Sequence, residues 1–82
     1  MSSITEIIPE KITELLTRNE REFLTNIIGF LQSNGEIDNY RARLLTNKSE
    51  EMTKKILSSL VAKGALVALG RTKGRKYRLN VV

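Results

Sequence analysis

The sequence contains no cysteine and no histidine. Disulfides, the common zinc sites and catalysis by thiol or imidazole groups are therefore excluded. The chain also has no glycine-rich phosphate loop followed by Lys-Ser or Lys-Thr, and no paired carboxylates suited to an active site. We therefore expect neither an enzyme nor a bound cofactor.

Long apolar runs are missing as well. None approaches the roughly 20 apolar residues that a membrane span needs. The opening segment MSSITEIIPEK lacks the cationic stretch followed by an apolar one that marks a secretory signal. We expect a cytoplasmic protein without a membrane partner or a small-molecule substrate.

Positive charge is abundant and unevenly placed. The 82 residues can form one small domain, and their net charge is +5. Residues 1–22 carry five acidic and three basic side chains, whereas residues 23–82 carry four acidic and eleven basic ones. A basic C-terminal three-quarters indicates a polyanionic partner, of which nucleic acid is the first candidate.

Two helices are predicted in the N-terminal part. Apolar spacing favours a short helix over residues 9–17, with Pro9 in its first turn. Asn19, with Glu22 three residues later, fits a capping box at the start of a second helix. That helix is expected to end at Asn34-Gly35, where a left-handed backbone is easily adopted.

The middle of the chain predicts a short strand and two more helices. Ile37 is expected to form a short edge strand, followed by a helix capped by Asp38 or Asn39. The segment TNKS interrupts that helix and offers Asn47 or Ser49 as the next N-cap. The following helix is expected to stop at Gly64 and to bury these residues: Met52, Ile56, Leu57 and Leu60.

From residue 65 the apolar period changes from helical to alternating. ALVAL and KYRLNVV, separated by a charged loop with glycines, predict a β-hairpin. Tyr77, Leu79 and Val81 fall on its inward face, and the outward face carries Lys76, Arg78 and Asn80. The predicted class is therefore mainly α with a small β-hairpin (α+β).

This element order is that of a winged helix-turn-helix domain, in which the helix after the turn can enter a major groove. We predict such a domain over residues 19–82 and an N-terminal helical extension over residues 1–18. The apolar extension is expected to pack on the three-helix core. Alternatively, it supplies a homodimer interface or a seam to an upstream domain.

The motifs in about residues 20–80 resemble the C-terminal winged helices of Fic-family proteins and of RecG-helicase-related transcriptional regulators. Those families show I-T-N-x-x-x-R-x-L-T-G-V-S, L-x-x-L-V-x-K-G-x-L and G-x-G-R-G-x-x-Y-x-L. The matching residues are Ile37, Asn39, Arg43, Leu45, Thr46, Ser49, Leu57, Leu60, Val61, Lys63, Gly64, Leu66, Gly70, Arg75, Tyr77 and Leu79. The resemblance implies DNA binding, in transcription regulation or as the C-terminal module of a longer protein.

The sequence departs from those motifs at the turn and at the start of the following helix. Lys48 stands where an apolar residue usually closes the turn, and Asn47 replaces the turn glycine. Glu50 and Glu51 stand where small, hydroxyl or basic residues are usual. Their carboxylates suit the positive end of a helix but would repel phosphates there.

The residues predicted to bind nucleic acid lie around the turn, on the helix after it and in the loop of the C-terminal β-hairpin, which we call the wing. They are Arg41, Lys48, Lys54, Lys55, Ser58, Arg71, Lys73, Arg75 and Lys76. The wing cations would contact phosphate or a narrow minor groove, and Lys54 and Lys55 could reach phosphate or guanine edges. In the competing interpretation both groups are solvated surfaces, and the domain binds another protein or dimerises without binding DNA.

Overall fold

The computed structural model describes residues 8–70 and 75–80. In chain order the elements are α1 (Glu10–Leu15), α2 (Arg18–Asn34), β1 (Ile37–Asp38), α3 (Asn39–Thr46), α4 (Glu50–Ala62), β2 (Leu66–Leu69) and β3 (Lys76–Leu79). The described part of the chain thus contains four helices and a three-stranded antiparallel sheet. A mainly helical α+β class is confirmed.

The start of α2 differs from the prediction. Thr17, not Asn19, is the N-cap: its hydroxyl accepts the backbone N–H of Glu20, and the Glu20 carboxylate accepts the backbone N–H of Thr17. Leu16 is extended and ends α1 just before this cap, so α1 is shorter than predicted. The capping box is present but begins two residues earlier, and Glu22 instead pairs at the surface with Arg18.

Glu20 also joins α2 to the far end of α4. Its carboxylate accepts hydrogen bonds from the hydroxyl of Ser59 and the ammonium of Lys63 while only 6% of the residue is exposed. Burial raises the pKa of Glu20, but the hydrogen bonds from Lys63, Ser59 and Thr17, with the Lys63 charge, outweigh it and lower the pKa to about 2. This carboxylate is therefore ionised in the folded protein.

The predicted boundaries from residue 34 to residue 50 agree with the structure. Gly35 ends α2 with a φ of 85°, and its N–H reaches the carbonyl of Leu31. Asp38 caps α3 by accepting the N–H of Arg41 at 2.8 Å. Ser49 caps α4 by accepting the N–H of Met52.

The buried face of α4 contains one residue that was not predicted and lacks one that was. Ile56, Leu57 and Leu60 are buried as expected, but Met52 is 47% exposed and Thr53 is completely buried. At 3.6 residues per turn Met52 lies about a quarter turn from the centre of the buried arc, whereas Thr53 lies close to it. Placing Met52 in the core was therefore wrong. The prediction gave more weight to the hydrophobicity of Met52 than to its angular position on the helix.

The sheet has β3 in its centre, in the order β1-β3-β2. Ile37 pairs with Tyr77 on one side of β3, and Leu66 pairs with Leu79 on the other. Tyr77 and Leu79 are buried while Lys76 and Arg78 are exposed, so the predicted alternation is confirmed. Ile37 forms the short edge strand that was expected; Val81 lies outside the described residues.

One apolar cluster includes residues from the helices and the strands. Its central members are Phe23, Leu24, Ile27, Leu31, Ile37, Leu57, Leu60, Leu66 and Tyr77. Ile8 and Leu16, on either side of α1, are buried in the same cluster, while Leu15 is 60% exposed. The N-terminal helix therefore packs on the core, as expected; the proposed division of the chain after residue 18 stays a prediction.

Among the described residues, no helix is both long enough and apolar enough to cross a membrane.

Candidate nucleic-acid interface

A tight turn sets the position of α4 relative to α3. Asn47 takes a left-handed backbone (φ 55°, ψ 39°), and its N–H closes α3 by reaching the carbonyl of Arg43 at 2.8 Å. Asparagine adopts this conformation more readily than most residues with a side chain. The chain then needs only Lys48 and Ser49 before α4 begins.

The solvent-facing side of α4 carries the residues that were expected there. Glu51, Lys54, Lys55 and Ser58 are all exposed, and Lys48 in the turn is half-buried. Within residues 8–70 and 75–80, neither Lys54 nor Lys55 forms an ion pair. Their ammonium groups are therefore available to an anion approaching this side of the helix.

The start of α4 has the opposite charge. Glu50 and Glu51 lie in its first turn, where the unpaired backbone N–H groups produce a positive potential. Both carboxylates are exposed, so they partly cancel the anion attraction of this helix end. An approaching phosphate would meet favourable charge further along α4, at Lys54 and Lys55.

The strand β3 presents a second set of cations. Lys76 and Arg78 alternate with the buried Tyr77 and Leu79, and Arg75 is exposed just before the strand. The burial of Tyr77 places its ring in the core, as expected, and not at a base-stacking position. Arg71 and Lys73, also predicted to bind nucleic acid, lie outside the described residues.

Arg41 and Lys76 line the same opening, although 35 positions separate them in the sequence. This opening, which we call the strand–helix depression, has a volume of about 280 Å³ and includes Phe30, Glu36, Asp38, Arg41 and Lys76 in its lining. The Arg41 guanidinium lies over the Phe30 ring, 5.3 Å from its centroid. Lys76 Nζ lies 3.3 Å from Glu36 Oε1.

Arg43, the arginine that matches the family motif, has a different environment. Its guanidinium lies 5.6 Å from the centroid of the Tyr40 ring. Its Nε is buried without a hydrogen-bond partner among the described residues. Arg43 therefore contacts the Tyr40 ring and makes no hydrogen bond through Nε within the described part of the chain.

Five of the predicted site residues fall into two groups: Lys54, Lys55 and Ser58 share one face of α4, and Arg41 and Lys76 share the strand–helix depression. Lys48 in the turn and Arg75 before β3 belong to neither group. Glu36, the carboxylate that pairs with Lys76, was not among the predicted residues. The sequence shows acids on both sides of Ile37 and cations on both sides of Tyr77, which suits an antiparallel pair of opposite charge but does not single out Glu36 as the partner of Lys76.

No protein-family model, no curated protein and no solved structure matches the chain.

Proposed function

We propose that the chain is a winged helix-turn-helix domain that binds double-stranded DNA, with α4 at the major groove and the β2–β3 hairpin along the adjacent backbone. It would act in transcription regulation or as the DNA-docking module of a larger protein. No catalytic role is proposed.

The observation that carries this proposal is the outward placement of cations on the two elements that would meet DNA. Lys54 and Lys55 on α4 are exposed without an ion-pair partner in the described part of the chain. Arg75, Lys76 and Arg78 are exposed on or beside β3. A major groove admits one α-helix, and phosphate contacts provide most of the affinity for duplex DNA.

The order of elements supports the same proposal. A helix, a short strand, two helices joined by a three-residue turn and a hairpin follow one another, and the short strand pairs with the returning strand of the hairpin. In this arrangement α4 follows the turn, which is the position of a recognition helix.

Contacts to phosphate should outweigh contacts to bases. The outward face of α4 offers one acid, two lysines and a hydroxyl, and the ammonium of a lysine is a flexible point charge without the rigid planar fork of arginine. Glu50 and Glu51 would repel the phosphates on either side of a groove and so oppose deep insertion of the start of α4. We therefore propose affinity dominated by the wing and by Lys54 and Lys55, with weak sequence preference.

Titration with random duplex DNA at several salt concentrations tests the proposal. Wild type is expected to bind with log K falling linearly in log salt. Replacing Arg71, Lys73 and Arg75 with alanine should weaken binding and reduce the magnitude of the slope by up to about 2.7, or about 0.9 per phosphate contact. The matched control removes three exposed cations from the acidic end of the chain, Lys11, Arg18 and Arg21.

Salt-independent or absent binding by wild type contradicts the proposal. Equal loss in the wing variant and in the control variant contradicts the assignment of the wing, since net charge alone would then explain the affinity.

A protein-interaction or dimerisation module is the second candidate, and exposed apolar side chains favour it. Tyr40 and Leu44, one turn apart on α3, are 60% and 57% exposed, and Met52 on α4 is 47% exposed. Light scattering coupled to chromatography distinguishes the two candidates when combined with the DNA titration. A dimer that does not bind duplex, and that Leu44→Ser makes monomeric, would support this second candidate.

A further inference from the structure

We infer that Glu36 is an internal competitor of phosphate: its carboxylate holds Lys76 in the free protein, and a phosphate of the DNA backbone must displace it from the strand–helix depression. This inference rests on the proposed DNA-binding function and assigns a regulator of affinity within that surface.

One acid pairs directly with a lysine that is predicted to bind phosphate. Glu36 precedes β1, Lys76 begins β3, and the two strands are antiparallel neighbours. Lys76 Nζ lies 3.3 Å from Glu36 Oε1, and both side chains are about half exposed, at 49% and 42%. The ammonium therefore already has an anionic partner at the surface where DNA would approach.

The other charged groups in the depression make contacts of their own. Asp38 lies opposite Lys76 in the register, but its Oδ1 accepts the backbone N–H of Arg41 at 2.8 Å and so caps α3. The guanidinium of Arg41 lies over the Phe30 ring. With both acids ionised the depression is electrically neutral, and loss of the Glu36 charge alone would leave it cationic.

An exposed ion pair of this kind can be displaced. Such pairs contribute little to stability because water and salt screen them. A DNA backbone presents closely spaced phosphates, and its condensed counterions are released when a lysine replaces them. When phosphate displaces Glu36, however, the freed carboxylate attracts a cation from solution. Glu36 therefore lowers both the affinity and the net counterion release.

The test compares Glu36→Gln with Glu22→Gln in the same duplex titration. Both changes remove one exposed carboxylate that pairs with a cation, Lys76 in one case and Arg18 in the other. We expect Glu36→Gln to bind about three- to ten-fold tighter than Glu22→Gln at low ionic strength. Its salt slope should be steeper by up to about 0.9, which corresponds to one additional phosphate.

Lys76→Gln provides the second arm, as a double-mutant cycle. In the Lys76→Gln background, Glu36→Gln should have no larger effect than Glu22→Gln, because the competition requires the ammonium group. A gain that persists without Lys76 overturns the pairing mechanism.

The outcomes separate the two proposals. If wild type binds duplex and Glu36→Gln behaves as Glu22→Gln does, the inference is wrong and the proposed function stands. If only the Glu36→Gln variants that retain Lys76 bind, the competition is stronger than we propose and the inference stands. If neither wild type nor any variant binds, both proposals are wrong.

Discussion

Glu20 shows how a single carboxylate can make the stability of this domain depend on pH. Its pKa is lowered to about 2 in the folded protein from an ordinary value of 4.5. A lowered folded-state pKa means that the stabilisation is fully present above about pH 4.5 and is lost as the pH falls towards 2. The shift corresponds to about 3 kcal/mol at most.

We expect Glu20→Gln to lower the free energy of unfolding by about 2–3 kcal/mol at neutral pH, because Lys63 loses its anionic partner in a half-buried place. The difference from wild type should shrink as the pH falls from 4.5 to 2. Urea unfolding across this pH range measures it, with Glu22→Gln as the exposed control. A difference that stays constant with pH would contradict the assignment.

Thr53 and Thr46 form a matched pair of threonines. Thr53 is completely buried and its hydroxyl has no hydrogen-bond partner among the described residues, whereas Thr46 donates to the carbonyl of Ala42 at 2.7 Å. Thr53→Val removes an unsatisfied polar group and should leave stability unchanged or raise it by up to about 1 kcal/mol. Thr46→Val should lower it by about 1 kcal/mol. Denaturant unfolding that shows an equal loss in both variants would contradict this distinction.

At the scale of elements, one glycine inside α2 and one just after it test where this helix ends. A Cβ added at Gly29 or Gly35 would meet nothing within 4 Å, so the two positions differ in backbone conformation and not in space. Gly29 lies inside the helix, and Gly29→Ala should stabilise the protein by about 0.5–1 kcal/mol. Gly35 has a φ of 85°, and Gly35→Ala should destabilise it by about 1 kcal/mol. If both variants shifted the thermal unfolding midpoint in the same direction, the left-handed backbone at the end of α2 would be contradicted.

The elements themselves could be predicted from the sequence, but some of their details could not. Thr17 with Glu20 and Asn19 with Glu22 both fit a capping box, and local sequence does not choose between them. The choice depends on Ser59 and Lys63, about forty residues away, which hold the Glu20 carboxylate. Tertiary contacts therefore decided what local patterning left open.

The candidate site was predictable to a similar degree. The exposed faces of α4 and β3 follow from periodicity, so Lys54, Lys55 and Lys76 were placed outward correctly. The pairing of Glu36 with Lys76 depends on the register of β1 against β3, which strands this short do not specify on their own. The predicted functional roles of these residues stay predictions.

At the scale of the whole molecule, the N-terminal helix contributes to the core. Ile8 and Leu16 are 2% and 4% exposed, and burying each such side chain stabilises a protein by about 1.5–3 kcal/mol. A chain that begins at residue 18 should lose several kcal/mol and the Thr17 cap, and should unfold with low cooperativity in calorimetry. Stability equal to that of the full chain would instead support an independent extension before residue 19.

The central position of β3 has a consequence for the order in which the protein can fold during synthesis. Both β1 and β2 pair with β3 and not with each other. Ile37 pairs with Tyr77, which lies about forty residues later in the chain, so this contact forms only after most of the chain has been made. While residues 70–80 are still inside the ribosomal exit tunnel, the four helices can pack outside it, but each of the earlier strands still lacks its neighbour. Ribosome-bound chains that carry C-terminal linkers of graded length should therefore show the sheet closing late, in one step, when residues 76–79 emerge from the tunnel.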